Sequence, residues 1–131
     1  MEPLKLKTNV HTGPEAIIQR DFGKYLRERE WFVISTHGNQ FQSGLPDDYV
    51  THERWKQRWV EYKNPLSFSF TPSQVKIFPK LIANGTPIWI IGAATDVEYE
   101  KLFKPCNFFE YFQAFHDGCR NIHAWRQGRR S

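Results

Sequence analysis

The stretch YVTHERWKQRWVEYKN, residues 49–64, has β-prone residues on both sides of a polar turn. This pattern predicts a β-hairpin from about residue 48 to residue 63. Because successive side chains of a strand point to opposite faces, Trp59, Glu61 and Lys63 share one face, and Val60 and Tyr62 share the other. A glutamate and a lysine on one face of an apolar strand indicate either a solvated ion pair or a site that uses both charges.

Two aspartates precede the first strand of this hairpin, in the segment GLPDDYV, residues 44–50. If the strand that begins near residue 47 pairs with the strand that ends near residue 63, Asp47 lies close to Glu61. Two neighbouring carboxylates repel each other, and a divalent cation between them offsets the repulsion. Strand alternation points Asp48 away from Asp47, and we expect Asp48 to have no role in the site.

Helix signals precede and follow the hairpin. HTGPEAIIQRDFGKYLRERE, residues 11–30, predicts a helix with Thr12 as its N-cap and Glu15 as the partner in a capping box. TPSQVKIFPKLIANG, residues 71–85, predicts a second helix with Thr71 as its cap and Gly85 as its stop, kinked or shortened by Pro79. TDVEYEKLF and NFFEYFQAF, residues 95–103 and 107–115, predict two further short helices.

Two continuous apolar runs, WFVIS at residues 31–35 and PIWIIGA at residues 87–93, predict buried strands. The order is then helix, three strands, helix, strand and a helical tail, which predicts an α/β fold on a small mixed sheet. We expect a single domain over residues 1–131, with an αβββαβ core at about residues 12–93. A helical, basic C-terminal extension would occupy about residues 94–131.

Composition limits the class of protein. The 131-residue chain has a net charge of +4 and a pI near 9.2, which permits a polyanionic partner. Its longest apolar run is far too short to cross a bilayer, and its first residues contain no apolar leader segment. The two cysteines form no disulfide framework. We therefore expect a cytoplasmic protein without a membrane partner, in the host cytoplasm if the protein is viral.

The motif residues resemble a known pattern. Pro46-Asp47 followed by Glu61-Tyr62-Lys63 is similar to the signature of the PD-(D/E)XK nuclease superfamily. The flanking segments Gly44-Leu45-Pro46, Trp59-Val60 and Thr71-Pro72-Ser73-Gln74 resemble the VRR-NUC branch in its standalone form. The resemblance covers roughly residues 12–93 and implies the αβββαβ restriction-endonuclease-like core. Asp48 departs from the pattern, because this branch usually has an apolar residue there.

The resemblance implies a metal site and a mechanism. Asp47 and Glu61 would bind Mg²⁺ or Mn²⁺ together with the backbone carbonyl of Tyr62, and Glu15 would bind through water. Lys63 would orient the attacking water and offset charge on the phosphate. Because two carboxylates beside it stabilise a positive charge, we favour electrostatic stabilisation over general base catalysis for Lys63.

Two of these residues also have a simpler interpretation. Glu15 completes the capping box with Thr12, and Gln74 completes one with Thr71. The resemblance places both beside the active site, and each residue can do both if its helix begins at the cleft. Gln19, one turn after Glu15, is a weaker candidate for the same site.

The C-terminal region leaves alternatives open. A zinc site is disfavoured because the spacing is irregular among Cys106, His116, Cys119 and His123. The tail RNIHAWRQGRR, residues 120–130, is either solvated and frayed or a phosphate-binding arm on which Trp125 stacks against a base. The aromatic residues of the preceding segment exceed what one helix face can bury. We expect Phe108, Phe112 and Phe115 to face the core, and Phe109 and Tyr111 to form a homodimer contact unless the tail covers them.

The sequence therefore predicts a Mg²⁺- or Mn²⁺-dependent endonuclease that hydrolyses phosphodiester bonds in DNA, with branched or Holliday-type DNA as one substrate class. A sequence-specific or nicking endonuclease of the same fold is an alternative. A DNA-binding protein without turnover is a second one, although a binder has no need for paired carboxylates that face a phosphate.

Overall fold

The computed structural model describes residues 13–36 and 44–130 of the chain, and in these ranges a four-stranded sheet carries helices on both faces. Across the sheet the strands lie in the order β1 (Phe32–Ser35), β2 (Asp48–His52), β3 (Lys56–Tyr62) and β4 (Ile88–Ile91). The pairs β1–β2 and β2–β3 are antiparallel, and β3–β4 is parallel. This arrangement confirms the predicted mixed α/β fold.

The helices follow the predicted order along the chain. α1 precedes the sheet, α2 lies between β3 and β4, and the C-terminal region contains three more helices and a 3₁₀ turn. Their bounds are α1 (Pro14–Arg27), α2 (Pro72–Ala83), α3 (Asp96–Glu100), the 3₁₀ turn Lys101–Phe103, α4 (Phe108–His116) and α5 (Ile122–Arg130). Among these helices none is both long and apolar enough to cross a bilayer.

Each face of the sheet has its own apolar core. On one face, Phe22 and Leu26 of α1 pack with Val60 and Tyr62 of β3. On the other face, residues of β4, α2, α4 and α5 form a second cluster, which includes Ile88, Phe78, Phe108 and Ile122. Strand alternation therefore places Glu61 and Lys63 on the α2 side of the sheet and Tyr62 on the α1 side, as predicted.

The expectation that β1 is buried is wrong. Phe32 is 63% exposed and Ile34 is 45% exposed. β1 is an edge strand, and Ile34 pairs with Tyr49 of β2. The apolar cluster on this face of the sheet lies over β4, at the opposite edge, so it does not cover Ile34. An apolar run predicts a strand but does not reveal whether anything covers it.

The start of α1 also differs from the prediction. Its N-cap is Gly13, without a side-chain cap, and Thr12 lies outside the described residues. The Glu15 carboxylate accepts a hydrogen bond from the backbone N–H of Asn64, 49 residues further along the chain. The carboxylate is therefore directed toward the loop after β3.

α2 begins and ends as predicted but is not shortened by Pro79. Thr71 and Gln74 form the predicted capping box, and Gly85 has the positive φ of 91° that ends a helix. The helix runs through Pro79 without a break over 12 residues. The neighbouring Phe78 is buried in the core, which holds the helix together where the proline removes one hydrogen bond.

The C-terminal region is packed more tightly than predicted. Tyr111 is 1% exposed, so only Phe109 of the two proposed contact residues lies at the surface. Trp125 is also buried, and its indole N–H donates to Asp117, which excludes the predicted stacking on a base. The frayed-tail alternative is wrong as well, because α5 is a helix that buries Ile122 against α4.

Candidate active site

The hairpin register brings Asp47 and Glu61 together. Asp48 pairs with Val60, so Asp47 lies across from Glu61 at the end of the ladder. The backbone N–H of Asp47 donates to Glu61 Oε1 at 3.1 Å, and the backbone N–H of Tyr62 donates to Asp47 Oδ2 at 2.9 Å. The two acidic side chains predicted to be neighbours are therefore neighbours in the structure.

Pro46 explains why the ladder ends at this point. The next position in the register would pair Pro46 with Tyr62, but proline has no N–H to donate, and its carbonyl accepts the Thr36 hydroxyl at 2.7 Å. Asp47 Oδ2 replaces the backbone acceptor for the N–H of Tyr62. The Tyr62 carbonyl points to the same side of β3 as the Tyr62 N–H. Because Pro46 has no N–H, it cannot donate a hydrogen bond to this carbonyl. An oxygen suited to a cation therefore lies beside Asp47.

Lys63 and Glu61 form a buried ion pair at the end of β3. Both side chains are almost fully inaccessible, and Lys63 Nζ lies 3.4 Å from Glu61 Oε2. The ammonium also donates to Gln74 Oε1 at 3.0 Å and lies 4.7 Å from the centre of the Phe70 ring. Burial of either charge alone would be costly, so each depends on the other and on these polar contacts.

Gln74 makes contacts that fit both of the interpretations that the sequence left open. Its Oε1 accepts from the backbone N–H of Thr71, which completes the capping box. Its Nε2 donates to Glu61 Oε2 at 2.9 Å, while its Oε1 also accepts from Lys63. The N-terminus of α2 is thus fixed to the Glu61–Lys63 pair.

The electrostatics of the site disfavour its negative charges. Burial raises the pKa of Glu61 well above 4.5, and the Asp47 carboxylate raises it further, although Lys63 acts in the opposite direction. Burial also raises the pKa of Glu15, again against the effect of Lys63. A divalent cation would compensate these charges, so the donor chemistry fits such an ion.

This shift predicts how stability depends on pH. A carboxyl with a raised pKa binds its proton more tightly in the folded state, so stability falls as pH rises from about 4.5 through the folded pKa. We expect the metal-free protein to lose unfolding free energy over this range, and Glu61→Gln to reduce the slope. Urea unfolding in EDTA at a series of pH values measures the unfolding free energy and its slope against pH. Parallel curves for the two proteins would show that Glu61 is not the titrating group.

Five of the predicted site residues line one cleft of about 690 Å³, and Tyr62 is not among its lining residues. Its walls include Asp47, Glu61, Lys63, Glu15, Gln74 and also Gln19. Within the described residues no three His, Cys, Asp or Glu side chains are grouped closely enough to hold a metal ion. A metal at Asp47 and Glu61 would therefore need the Tyr62 carbonyl and water as additional ligands. The same finding gives no support to zinc at Cys106, His116, Cys119 and His123.

Asp48 is the residue that sequence reasoning missed. It is 1% exposed, on the α1 side of the sheet. Its Oδ2 accepts from the Tyr62 hydroxyl and its Oδ1 accepts from Gln19 Nε2, both at 2.8 Å. Asp48 therefore points away from Asp47, as predicted, but it is buried and links β2 to β3 and to α1. The sequence did contain a signal for this role. Strand alternation places Asp48 on the same face as Val50, so an inward-facing acidic side chain was to be expected there.

The αβββαβ core, with paired carboxylates and a lysine at the end of β3, has the form of a restriction-endonuclease-like domain. No protein-family model and no curated protein matches the sequence. A solved structure described as "VRR_NUC domain" is similar to this chain, with a TM-score of 0.53 and 21% identity. The match covers 68% of this chain and 95% of the other. The chain therefore shares the fold of that VRR_NUC domain, which confirms the predicted fold.

Proposed function

We propose that the protein is a metal-dependent endonuclease that hydrolyses phosphodiester bonds in DNA. The observation that supports this proposal is the Asp47–Glu61 pair, two adjacent carboxylates in an open cleft next to a buried lysine. A fold of the nuclease type adds to it. A protein that only bound DNA would gain nothing from carboxylates that repel both each other and phosphate.

The ligands proposed for Mg²⁺ or Mn²⁺ are all oxygens, as these ions prefer. Asp47, Glu61 and the Tyr62 carbonyl would bind directly, and Glu15 through water. Such an ion supplies polarisation of the phosphate and activation of a water. The residues of the chain position these oxygens, since Asp47 is fixed by the Tyr62 N–H and Glu61 by Gln74 and Asp47.

Lys63 would orient the attacking water and offset the negative charge that develops on the phosphate. Its ammonium is fixed by Gln74 Oε1 and by Glu61. These contacts hold the positive charge at the inner end of the cleft, where it also attracts a phosphate. We therefore assign Lys63 electrostatic stabilisation in preference to general base catalysis.

We also propose that the protein acts as a homodimer in the cytoplasm. Cleavage of both strands of a branched or duplex substrate requires two sites, and a twofold axis supplies them from one gene. The aromatic contact surface is reduced to Phe109, so it supports the dimer less than the sequence indicated. Two free cysteines, Cys106 and Cys119, fit a reducing compartment.

A panel of linear, nicked, flapped and four-way DNA tests the proposed activity, incubated with Mg²⁺, Mn²⁺, Ca²⁺ or EDTA. We expect cleavage with Mg²⁺ and Mn²⁺, binding without efficient cleavage with Ca²⁺, and no cleavage in EDTA. Preference among the substrates separates branched-DNA cleavage from nicking, and sedimentation of the same preparation gives the oligomeric state. Full activity in EDTA would contradict the proposed mechanism.

A further inference from the structure

A row of hydroxyl side chains forms one wall of the cleft. In the segment SFSFT, residues 67–71, Phe68 and Phe70 are buried in the core over β4. The intervening Ser67, Ser69 and Thr71 are exposed, and they line the cleft together with Lys63. We call these three residues the hydroxyl strip.

The backbone of the hydroxyl strip is fixed at several points. The N–H of Phe68 donates to the carbonyl of Arg120, and the N–H of Ile122 donates to the carbonyl of Pro65, both at 2.9 Å. At the other end, the N–H of Thr71 donates to Gln74 Oε1. The strip is therefore held between the C-terminal region and the residues that contact Glu61 and Lys63. Donors held in place in this way lose little entropy on binding a ligand.

The charges around the hydroxyl strip suit an anion. From Tyr62 to Thr95 the sequence contains no Asp or Glu but three lysines, Lys63, Lys76 and Lys80. Lys76 and Lys80 are exposed on α2, the helix that follows the strip directly. The acidic groups of the cleft all come from outside this range, so this wall has no carboxylate of its own to repel phosphate. Serine and threonine hydroxyls are frequent donors to the phosphates of DNA.

We propose that the hydroxyl strip binds the phosphate backbone of the cleaved DNA strand on one side of the scissile phosphate. The inference rests on the proposed nuclease function and adds the path of the strand, from the carboxylate pair along residues 71, 69 and 67. The hydroxyls are neutral, so they contribute hydrogen bonds without releasing counterions. Loss of the hydroxyls therefore lowers affinity and leaves its salt dependence unchanged.

The test compares the double variant Ser67→Ala/Ser69→Ala with the wild type. Thr71 is left in place because it caps α2. We expect the dissociation constant for labelled DNA, measured by fluorescence anisotropy in Ca²⁺, to rise about tenfold. The slope of its logarithm against log salt should stay constant, whereas Lys76→Gln should reduce that slope by about one.

Thr86→Ala is the matched control, since Thr86 precedes β4 at the end of the sheet opposite the site, and it should leave binding unchanged. If the wild type binds and cleaves DNA and the affinity of the double variant is within about twofold of the wild-type affinity, the proposal for the hydroxyl strip is overturned but the proposed function is not. A wild-type protein that neither binds nor cleaves DNA would overturn the proposed function and the strip with it.

Discussion

Asp47→Asn is expected to lower the cleavage rate by more than about a hundredfold, because even residues behind metal ligands contribute that much. The fold should be retained, since the asparagine oxygen can still accept from the Tyr62 N–H as Asp47 Oδ2 does. The substitution removes one of two repelling charges, so DNA binding should persist or tighten. Single-turnover cleavage in Mg²⁺, anisotropy in Ca²⁺ and thermal unfolding measure the three effects.

Two further variants make this result specific. Asp21→Asn removes an exposed carboxylate of α1 whose ion pair within the described residues is with its neighbour Arg20, and it should leave the cleavage rate unchanged. Glu61→Gln should also lose activity. Both carboxylate oxygens of Glu61 accept a hydrogen bond, one from the Asp47 N–H and one from Gln74, so the glutamine amide would put a donor where one of these acceptors now lies. Asp47→Asn is therefore the cleaner test. An Asp47→Asn protein that cleaves within about tenfold of the wild type would contradict the assignment.

Asp48→Leu is expected to destabilise the protein by about 1–3 kcal/mol, because it leaves the buried Tyr62 hydroxyl without its acceptor. Tyr62→Phe alone should cost a similar amount, since Asp48 then loses a donor. The double variant should be more stable than the sum of the two losses implies, because both partners of the bond are replaced by apolar groups. Urea unfolding of all four proteins measures the coupling.

Tyr111 provides the matched control for this cycle. It is a buried tyrosine in the cluster on the other face of the sheet, so Tyr111→Phe and Asp48→Leu should have additive effects. Additive effects of Asp48→Leu and Tyr62→Phe would show instead that the buried Asp48–Tyr62 hydrogen bond contributes no coupling. The interpretation of Asp48 as a link between β2 and β3 would then fail.

The parts of the fold that the sequence predicted are those with a strong local signal. The β-prone residues on both sides of the polar turn in residues 49–64 implied the hairpin, and the pairing of its strands in turn implied that Asp47 lies across from Glu61. Thr71, Gln74 and Gly85 marked the ends of α2 by capping chemistry that acts within one helical turn. Each inference needed only residues close together in the chain or in one ladder.

The errors have a common physical cause, because burial depends on packing between distant elements. Phe32 and Ile34 are apolar, yet nothing in the described ranges covers β1 enough to bury them. Tyr111 was expected at the surface unless the C-terminal tail covered it, and Trp125 was expected in a solvated or nucleic-acid-binding tail, but α4 and α5 pack into the cluster over β4. Asp48 is polar but buried, because Tyr62 and Gln19 supply donors from elements 14 and 29 residues away.

The central claim is that Asp47, Glu61 and Lys63 form a metal-dependent site for phosphodiester hydrolysis. Single-turnover cleavage of four-way and linear DNA by the wild type and by Asp47→Asn, in Mg²⁺ and in EDTA, tests it most directly. We predict cleavage only by the wild type in Mg²⁺, with both proteins still able to bind DNA. Equal cleavage by the two proteins, or cleavage by the wild type that persists in EDTA, would contradict the claim.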